Sequence, residues 1–283
     1  MDAYLSIKCS MPSALEEELP TVLFDLPVLG TEITERGGDR VDVVVFLPAD
    51  QSDRVAQATR LIIEAGGEGL EVEIVDHDDW MTNYREAVRP FAVGSSWWVD
   101  PHPETPTMAP PDRKRLVMPP RMAFGSGSHE STRLLLRALE AISPCDRSVL
   151  DVGTGSGILA LAADALGARR VLAVDIDPVA VDIACQIRSL QEWRPRVQFV
   201  VGSVDCVAPG CFDLVLCNMI SANFLPLLDA MTETLTPGGT LMISGLLVGE
   251  ADTISGMLGR CGMETAPMTS LDGWASFRAR RRT

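Results

Sequence analysis

Two glycine-rich stretches of this sequence have the composition of ligand-binding loops. AFGSGSHEST, residues 123–132, combines two glycines with hydroxyl side chains and His129, one of three histidines in the chain, and DVGTGSG follows at residues 151–157. Glycine lets a backbone approach a ligand closely, and a helix that starts after such a turn presents free amide groups. The pattern predicts that both loops contribute to a binding site.

The spacing of the second turn argues against a dinucleotide. A dinucleotide fingerprint reads G-x-G-x-x-G, whereas counting from Gly153 reaches Gly155 and then Ile158. The turn instead reads G-x-G-x-G and is preceded by Asp151. Binding of a pyrophosphate is therefore disfavoured.

An acidic residue at the end of the next predicted strand is suited to bind a sugar. Asp175 ends VLAVD about 20 residues after the glycine turn, where a carboxylate can accept both hydrogen bonds from a ribose diol. The alternative is an ordinary strand-terminal or helix-capping acid. A capping role fits Asp177, which precedes Pro178, better than it fits Asp175.

The elements that position these residues fall into two groups, and the first predicts the order βαββαβ. Its strands are YLSIKCS, GTEITE, RVDVVVFL and LEVEIVD, and its helices are PSALEEELPTVLFDL and SDRVAQATRLIIEAG. This order predicts a ferredoxin-like α+β domain over residues 1–77, in which two helices cover one face of an antiparallel sheet and leave the other for a partner. The domain carries no catalytic cluster.

The second group predicts a doubly wound, Rossmann-like α/β domain over residues 95–283. Residues 78–94 predict a linker with a helical core between Asp79 and Arg89, and residues 95–121 contain seven of the nineteen prolines. From residue 147 onward, strands and helices alternate, which is typical of a parallel sheet with ligands at the carboxyl ends of its strands.

Composition narrows the functional classes. The chain of 283 residues has no run of about 18 apolar residues and no basic segment followed by an apolar one, so we expect a cytoplasmic protein without a membrane span. The seven cysteines are scattered without ligand spacing, and we expect no metal site.

Residues 1–94 carry 19 acidic and 7 basic side chains, against 20 and 17 in residues 95–283. This acidity predicts a basic partner rather than nucleic acid, or simply a well-solvated surface.

Three motifs together resemble a known family. AFGSGSH, DVGTGSGILALAADALGARRVLAVDIDPVAV and NMI look like those of the PrmA family, class I S-adenosylmethionine-dependent methyltransferases that act on ribosomal protein L11. The resemblance covers most of the chain, is densest over residues 119–247, and extends to Trp80, Tyr84, Pro90 and Gly94 of the linker. It implies that the N-terminal domain binds the substrate protein and that the C-terminal domain binds S-adenosyl-L-methionine.

The resemblance also implies roles for individual residues. The turn at Gly153 is expected to cradle the cofactor, and the loop at residues 123–129 to close over its methionine end. Asn218 is the catalytic candidate, because it can offer an oxygen to the attacking nitrogen of a lysine or an N-terminal amine. Its alternative role is to cap the following helix. The expected cofactor-binding residues are Phe124, Thr132, Asp151, Gly153, Gly155, Asp175, Ile176 and Asn218, although Phe124 could instead simply pack.

Other residues near this site are open to two interpretations. His129 and Met219 are substrate-side candidates, although His129 could instead hold its loop. We assign Trp97, Trp98 and Trp274 to packing, with a border of the substrate channel as the alternative for Trp274.

Several positions depart from the family pattern. The segment Pro119, Pro120 and Arg121 stands where the family has Asp-Pro-Gly, Glu130 replaces a proline, and the Asn-Ile-Leu motif reads Asn218, Met219 and Ile220. These departures lie beside the expected methyl-transfer site, so the identity of the substrate is the property that they affect. The alternatives are methylation of another protein's lysine or of a small molecule, or an inactive cofactor-binding scaffold.

Overall fold

The chain forms two compact units, residues 1–87 and 88–283, which we describe separately. The computed structural model describes residues 3–13, 23, 26, 28, 30–35, 39–49, 54–76, 89–104, 108–119 and 127–282. The predicted linker helix, with Trp80 and Tyr84, lies outside these residues except for Arg89. The division into residues 1–77, 78–94 and 95–283, with its functional roles, therefore stays a prediction.

The first unit contains a four-stranded antiparallel sheet in the order β2-β3-β1-β4. This arrangement agrees with the predicted ferredoxin-like domain. The first predicted helix falls almost entirely outside the described residues, whereas the second is present. Apolar side chains such as Ile7, Val43 and Ile62 are fully buried between sheet and helix. The elements are β1 (Ala3–Pro12), β2 (Gly30–Glu35), β3 (Arg40–Pro48), α1 (Val55–Glu64) and β4 (Glu68–Asp76).

The second unit begins with a small three-stranded sheet that the sequence pattern did not predict. It consists of β5 (Phe91–Val93), β6 (Trp97–Asp100) and β7 (Lys114–Val117), in that order. Trp97 is fully buried and its Nε1 donates to the carbonyl of Leu136, which agrees with the packing role assigned to it.

The main sheet of the second unit has the order β10-β9-β8-β11-β12-β15-β13, with β14 paired to β15. Strands β8 to β12 are parallel, as expected, whereas β13 to β15 pair antiparallel and were not predicted. Helices cover both faces. The strands are β8 (Ser148–Val152), β9 (Arg170–Asp175), β10 (Val197–Val201), β11 (Phe212–Asn218), β12 (Leu235–Leu247), β13 (Met263–Thr265), β14 (Thr269–Leu271) and β15 (Trp274–Arg281).

The sequence predicts helices over residues 155–166, from about residue 178, over about residues 221–235 and over about residues 250–261, and the structure follows these positions with one break, whereas the helix over residues 130–142 was not predicted. The single helix expected from Ser221 to Leu235 is divided by a 3₁₀ turn that contains Pro226, because proline lacks the amide that a continuous helix needs. The helices are α2 (Glu130–Ile142), α3 (Ile158–Ala165), α4 (Pro178–Ser189), α5 (Ser221–Phe224), α6 (Leu228–Thr234) and α7 (Ala251–Arg260).

The predicted cap of α4 is confirmed. The Asp177 carboxylate accepts a hydrogen bond of 2.8 Å from the Val179 amide, and Pro178 is the first helical residue. Asp175 therefore does not have this capping role, and its carboxylate can bind a ligand in the cavity described below.

Three chemical features of the chain bear on its class. Each of the seven cysteines is a free thiol. Within the described ranges, no three or more histidine, cysteine or acidic side chains are grouped so as to hold a metal ion. In the same part of the chain, no helix has the length and apolar character needed to cross a membrane.

Candidate functional site

A cavity of about 830 Å³ opens at the carboxyl ends of the parallel strands. This is the edge where ligands of doubly wound sheets bind. Four strand ends meet there, because the parallel strands β8, β9, β10 and β11 all point the same way. Its lining includes Gly153, Asp175, Ser203 and Asn218, one from each strand end, together with residues at the start of α2.

The turn after β8 is shaped by glycines with left-handed backbone angles. Gly153, Gly155 and Gly157 have φ values of 67°, 53° and 83°. A Cβ atom on Gly153 would lie 2.5 Å from Sδ of Met219, so any side chain there would displace Met219. The glycines thus let the turn and the strand that carries Asn218 approach closely, and the predicted Gly153 and Gly155 both line the cavity.

The carboxylate of Asp175 faces the cavity and is held in place by backbone amides. Its Oδ2 accepts a 2.9 Å hydrogen bond from Gly155 and its Oδ1 a 3.1 Å hydrogen bond from Asp177. A carboxylate oxygen has two lone pairs, so each retains one for a ligand hydroxyl. Ile176, which is 77% exposed, lines the cavity beside it.

Asp151 lies behind the turn. The residue is 1% exposed and is not among the described residues that line the cavity. Its carboxylate accepts a 2.7 Å hydrogen bond from the Thr154 hydroxyl. Burial raises the pKa of Asp151 to about 7. This position suits a residue that holds the glycine turn, and direct contact of Asp151 with the cofactor stays a prediction.

Asn218 is oriented by Thr132, which lies on the first turn of α2. Its Nδ2 donates a 2.9 Å hydrogen bond to the Thr132 hydroxyl, while its Oδ1 is buried and has no hydrogen-bond partner among the described residues. Buried polar atoms are rarely left unpaired, and this one belongs to a residue that lines a cavity. The capping alternative is not supported, because Ile220 occupies the cap position of α5, with no side-chain cap.

His129 holds the start of α2 and also borders the cavity. Its Nδ1 lies 2.7 Å from the Ser131 hydroxyl and accepts a 3.3 Å hydrogen bond from the Ser131 amide, and its ring packs edge-on against Trp274 at 4.6 Å. Burial lowers the pKa of His129, which favours the neutral ring near pH 7. Both His129 and Trp274 line the cavity, so the border role considered for Trp274 agrees with its position.

The structure brings most of the other predicted residues to the same place. Thr132 and Met219 line the cavity. Phe124, Pro120 and Arg121 lie outside the described residues, as does the predicted closing loop apart from residues 127–129.

Sequence reasoning missed the segment after β10. Gly202, Ser203 and Val204 line the cavity, and so do Ala222 and Asn223 of α5. A glycine directly after a predicted parallel strand is a signal that could have identified the first of these segments.

Comparison with known proteins decides the family. Over residues 8–282 the sequence matches the family described as ribosomal protein L11 methyltransferase (PrmA). The chain belongs to this family. The resemblance drawn from the motifs is thus confirmed.

Individual relatives agree with this assignment. A ribosomal protein L11 methyltransferase of Geobacter sulfurreducens is 32% identical over 96% of this chain and 96% of its own length. One from Methylococcus capsulatus is 31% identical over 95% of this chain and 96% of its own. The crystal structure of a ribosomal protein L11 methylase from Lactobacillus delbrueckii subsp. bulgaricus superposes with a TM-score of 0.64 at 26% identity, and the match covers 69% of this chain and all of that one.

Membership of the PrmA family makes this chain an S-adenosylmethionine-dependent protein methyltransferase with the class I fold. The predicted fold class, enzyme class and cofactor are confirmed. The cavity also fits the cofactor on chemical grounds, since Asp175 offers acceptors for ribose hydroxyls and the glycine turn leaves its backbone accessible. The unpaired Oδ1 of Asn218 offers an acceptor for an N–H group.

Proposed function

We propose that this protein methylates one or more amines of ribosomal protein L11, on lysine side chains or the N-terminus, in the cytoplasm. The observation that carries this proposal is the buried, unpaired Oδ1 of Asn218 at the cavity. An acceptor in this position needs a hydrogen-bond donor, and an amine substrate supplies one.

Thr132 holds the Asn218 amide from one side. Because the Thr132 hydroxyl accepts from Nδ2, Oδ1 is the Asn218 atom that is left to accept a hydrogen bond from a substrate. An amine that donates an N–H to Oδ1 has its position restricted, so that its lone pair can be aligned for attack. Thr132 is thus a positioning residue and Asn218 the catalytic residue.

The bound cofactor supplies a methyl group that is already electrophilic, so the protein's task is alignment rather than activation. Asn218 is an acceptor without a titratable group, so it orients the neutral amine and the amine's surplus proton leaves to solvent. A lysine has a solution pKa of about 10.4 and an N-terminal amine about 7.7 to 8.0, so an N-terminal amine needs less help to reach the neutral form. Met219 and Trp274 line the same cavity as Asn218.

We further propose that the N-terminal unit docks the substrate protein. Its sequence is strongly acidic, and ribosomal proteins are generally basic, so long-range attraction would raise the association rate. Pairs such as Lys8 with Glu73 are exposed, so each contributes little to affinity by itself. The same acidity disfavours direct binding of nucleic acid.

Labelling with methyl-tritiated S-adenosylmethionine tests the substrate. Purified protein is incubated with ribosomal protein L11 and, separately, with total cell protein, and the label is located by mass spectrometry. We expect label on L11 amines, incorporated about 100-fold more slowly by Asn218→Ala under the same conditions. Label only on other proteins would favour another lysine substrate, and the absence of label together with intact cofactor binding would favour the inactive scaffold.

A further inference from the structure

Three large apolar side chains lie exposed at one edge of the candidate site. Ile220 is 54% exposed, Leu247 52% and Val248 42%. Ile220 follows β11 and lines the cavity. Leu247 ends β12, the next strand in the sheet, and Val248 begins the 3₁₀ turn after it; neither is among the residues that line the cavity. Single exposed apolar residues are common, but a group beside a binding cavity indicates an interaction surface. We call these three residues the apolar rim.

Glu250 joins the two loops that carry the apolar rim. Its Oε2 accepts a 2.8 Å hydrogen bond from the amide of Leu247, and its Oε1 accepts a hydrogen bond of 2.5 Å from the hydroxyl of Ser221, the residue after Ile220. One carboxylate thus holds Leu247 and Ile220 in a defined relation. A surface that is already ordered loses less entropy when it binds a partner.

The apolar rim is continuous with the residues that orient the substrate nitrogen. Leu247 pairs with Trp274 across the sheet, and the amide of Val248 donates a 2.9 Å hydrogen bond to Gly273. Trp274 packs on His129, the N-cap residue of α2, and the Thr132 hydroxyl on that helix accepts from Asn218. A chain of direct contacts therefore runs from Asn218 to Leu247.

We propose that the apolar rim receives an aliphatic side chain of the substrate protein that lies next to the target amine. The inference rests on the proposed function, since it takes the occupant to be the segment that brings an amine to Asn218. Continuity with the cavity favours this occupant, because a chain segment whose amine enters the cavity must leave across its edge. Burial of an aliphatic side chain on Leu247 and Val248 would supply binding free energy that the small amine itself lacks. The apolar rim thus selects amines by their sequence context.

A pair of labelled peptides tests the preference directly. The peptides have the same length and differ only in the residues that flank one lysine, which are leucines in one and serines in the other. Binding is measured by fluorescence anisotropy on protein saturated with S-adenosylhomocysteine. We expect wild-type protein to bind the leucine peptide about tenfold more tightly, and the L247S/V248S variant to bind both equally.

Steady-state kinetics with ribosomal protein L11 supply the second measurement. In L247S/V248S we expect the KM for L11 to rise about tenfold, with kcat and the cofactor Kd within about twofold of wild type. Val200→Ser is the matched control, since Val200 is an apolar residue, 46% exposed, on β10, an edge strand that β9 and β8 separate from β11. Both affected residues are exposed already, so their replacement does not remove core packing.

The outcomes separate the two proposals. Equal binding of both peptides by wild-type protein, or the same change in Val200→Ser as in L247S/V248S, would overturn the role of the apolar rim. An L247S/V248S variant that turned from a dimer into a monomer on gel filtration, with its peptide preference retained, would assign the apolar rim to a second copy of this chain instead. A peptide preference without methylation of L11 would support the apolar rim and overturn the proposed substrate.

Discussion

At the scale of single residues, Asn218 carries the functional argument. Its Nδ2 is satisfied by Thr132, and its Oδ1 is buried without a partner among the described residues. We expect Asn218→Ala to reduce kcat about 100-fold while the cofactor Kd stays within about threefold, because the lost contact aligns the substrate in the transition state. Calorimetry and turnover measurements check this. A fall in kcat that only follows a loss of folded protein would make Asn218 structural.

Asp175 and Asp177 provide a matched pair of acids two residues apart. Asp175 lines the cavity, whereas Asp177 caps α4. We expect Asp175→Ala to weaken binding of S-adenosylmethionine by about 1 to 3 kcal/mol, because the ribose hydroxyls lose their charged acceptor. Asp177→Ala should instead lower the free energy of unfolding by about 1 kcal/mol. Equal cofactor affinity in the two variants, measured by calorimetry, would contradict this assignment.

The pKa of Asp151 links stability to pH. Burial, with a smaller contribution from the Asp175 carboxylate, raises the pKa of Asp151 to about 7, whereas an unfolded aspartate has a pKa of about 3.9. Between these values Asp151 holds more protons in the folded protein than in the unfolded chain, so its contribution to the free energy of unfolding falls as the pH rises toward 7. We expect this group to contribute a loss of about 2 to 3 kcal/mol from pH 5 to pH 8.

Asp151→Asn isolates that contribution. The amide cannot ionise in this range, so urea unfolding at pH 5 and pH 8 should give a smaller difference for the variant than for wild type. The absolute stability of the variant does not enter the comparison. Parallel pH profiles for the two proteins would show that Asp151 keeps an ordinary pKa in the fold.

At the scale of elements, a bulge in β12 sets the position of the strand end that bears Asn218. The pairing of β12 with β15 shifts register between Ser244 and Leu246, and Gly245 between them has a φ of 89°. A Cβ atom on Gly245 would lie 2.3 Å from the carbonyl oxygen of Met219. The glycine therefore permits close contact between β12 and the residue after Asn218.

Replacing this glycine should affect both stability and catalysis. We expect Gly245→Ala to lower the free energy of unfolding by at least about 1 to 2 kcal/mol, since alanine is strained at positive φ and clashes with backbone. The turnover of the folded fraction should also fall, because Met219 moves with Asn218. Gly249→Ala is the control, since a Cβ there would meet open space. Similar melting temperatures for the two variants would refute the steric argument.

The elements that the sequence predicted well are those with a local cause. The glycine turn, the proline after Asp177 and the alternation of strands with helices each depend on neighbouring residues, and all appear where expected. Strand β15 was missed, although WASFR alternates, because nothing local shows that it inserts between β12 and β13. The small sheet of β5 to β7 was missed because prolines surround its short strands.

At the scale of the whole molecule, each of the two units has its own core. The apolar cluster of the first unit includes Ile7 and Ile62, and the clusters of the second are built from residues beyond Val88. A unit with its own core can keep its structure when the other is removed. Because the cores are separate, the proposal that the first unit docks the substrate and the second binds the cofactor can be tested directly.

Removing the first unit should separate binding of the cofactor from recognition of the substrate. We expect a chain of residues 88–283 to bind S-adenosylmethionine with a Kd within about threefold of the full chain, since the described cavity lies in this unit. Methylation of ribosomal protein L11 should be lost, because the amine is no longer held near the cavity. A truncated chain that methylates L11 at the full rate would show that the first unit is not the docking surface.

The sequence by itself determined the fold class, the family, the glycine turn and the acid that faces it, because these depend on local spacing and on motifs. Only the tertiary structure decided how distant residues meet. Thr132 and Asn218 are 86 positions apart, and their contact, which leaves Oδ1 unpaired, depends on how α2 packs at the end of β11. The link from Ser221 to Leu247 through Glu250 likewise depends on the order of strands in the sheet. Periodicity and turn chemistry act between neighbours, whereas the contacts that assemble the site are set by packing between elements far apart in the chain.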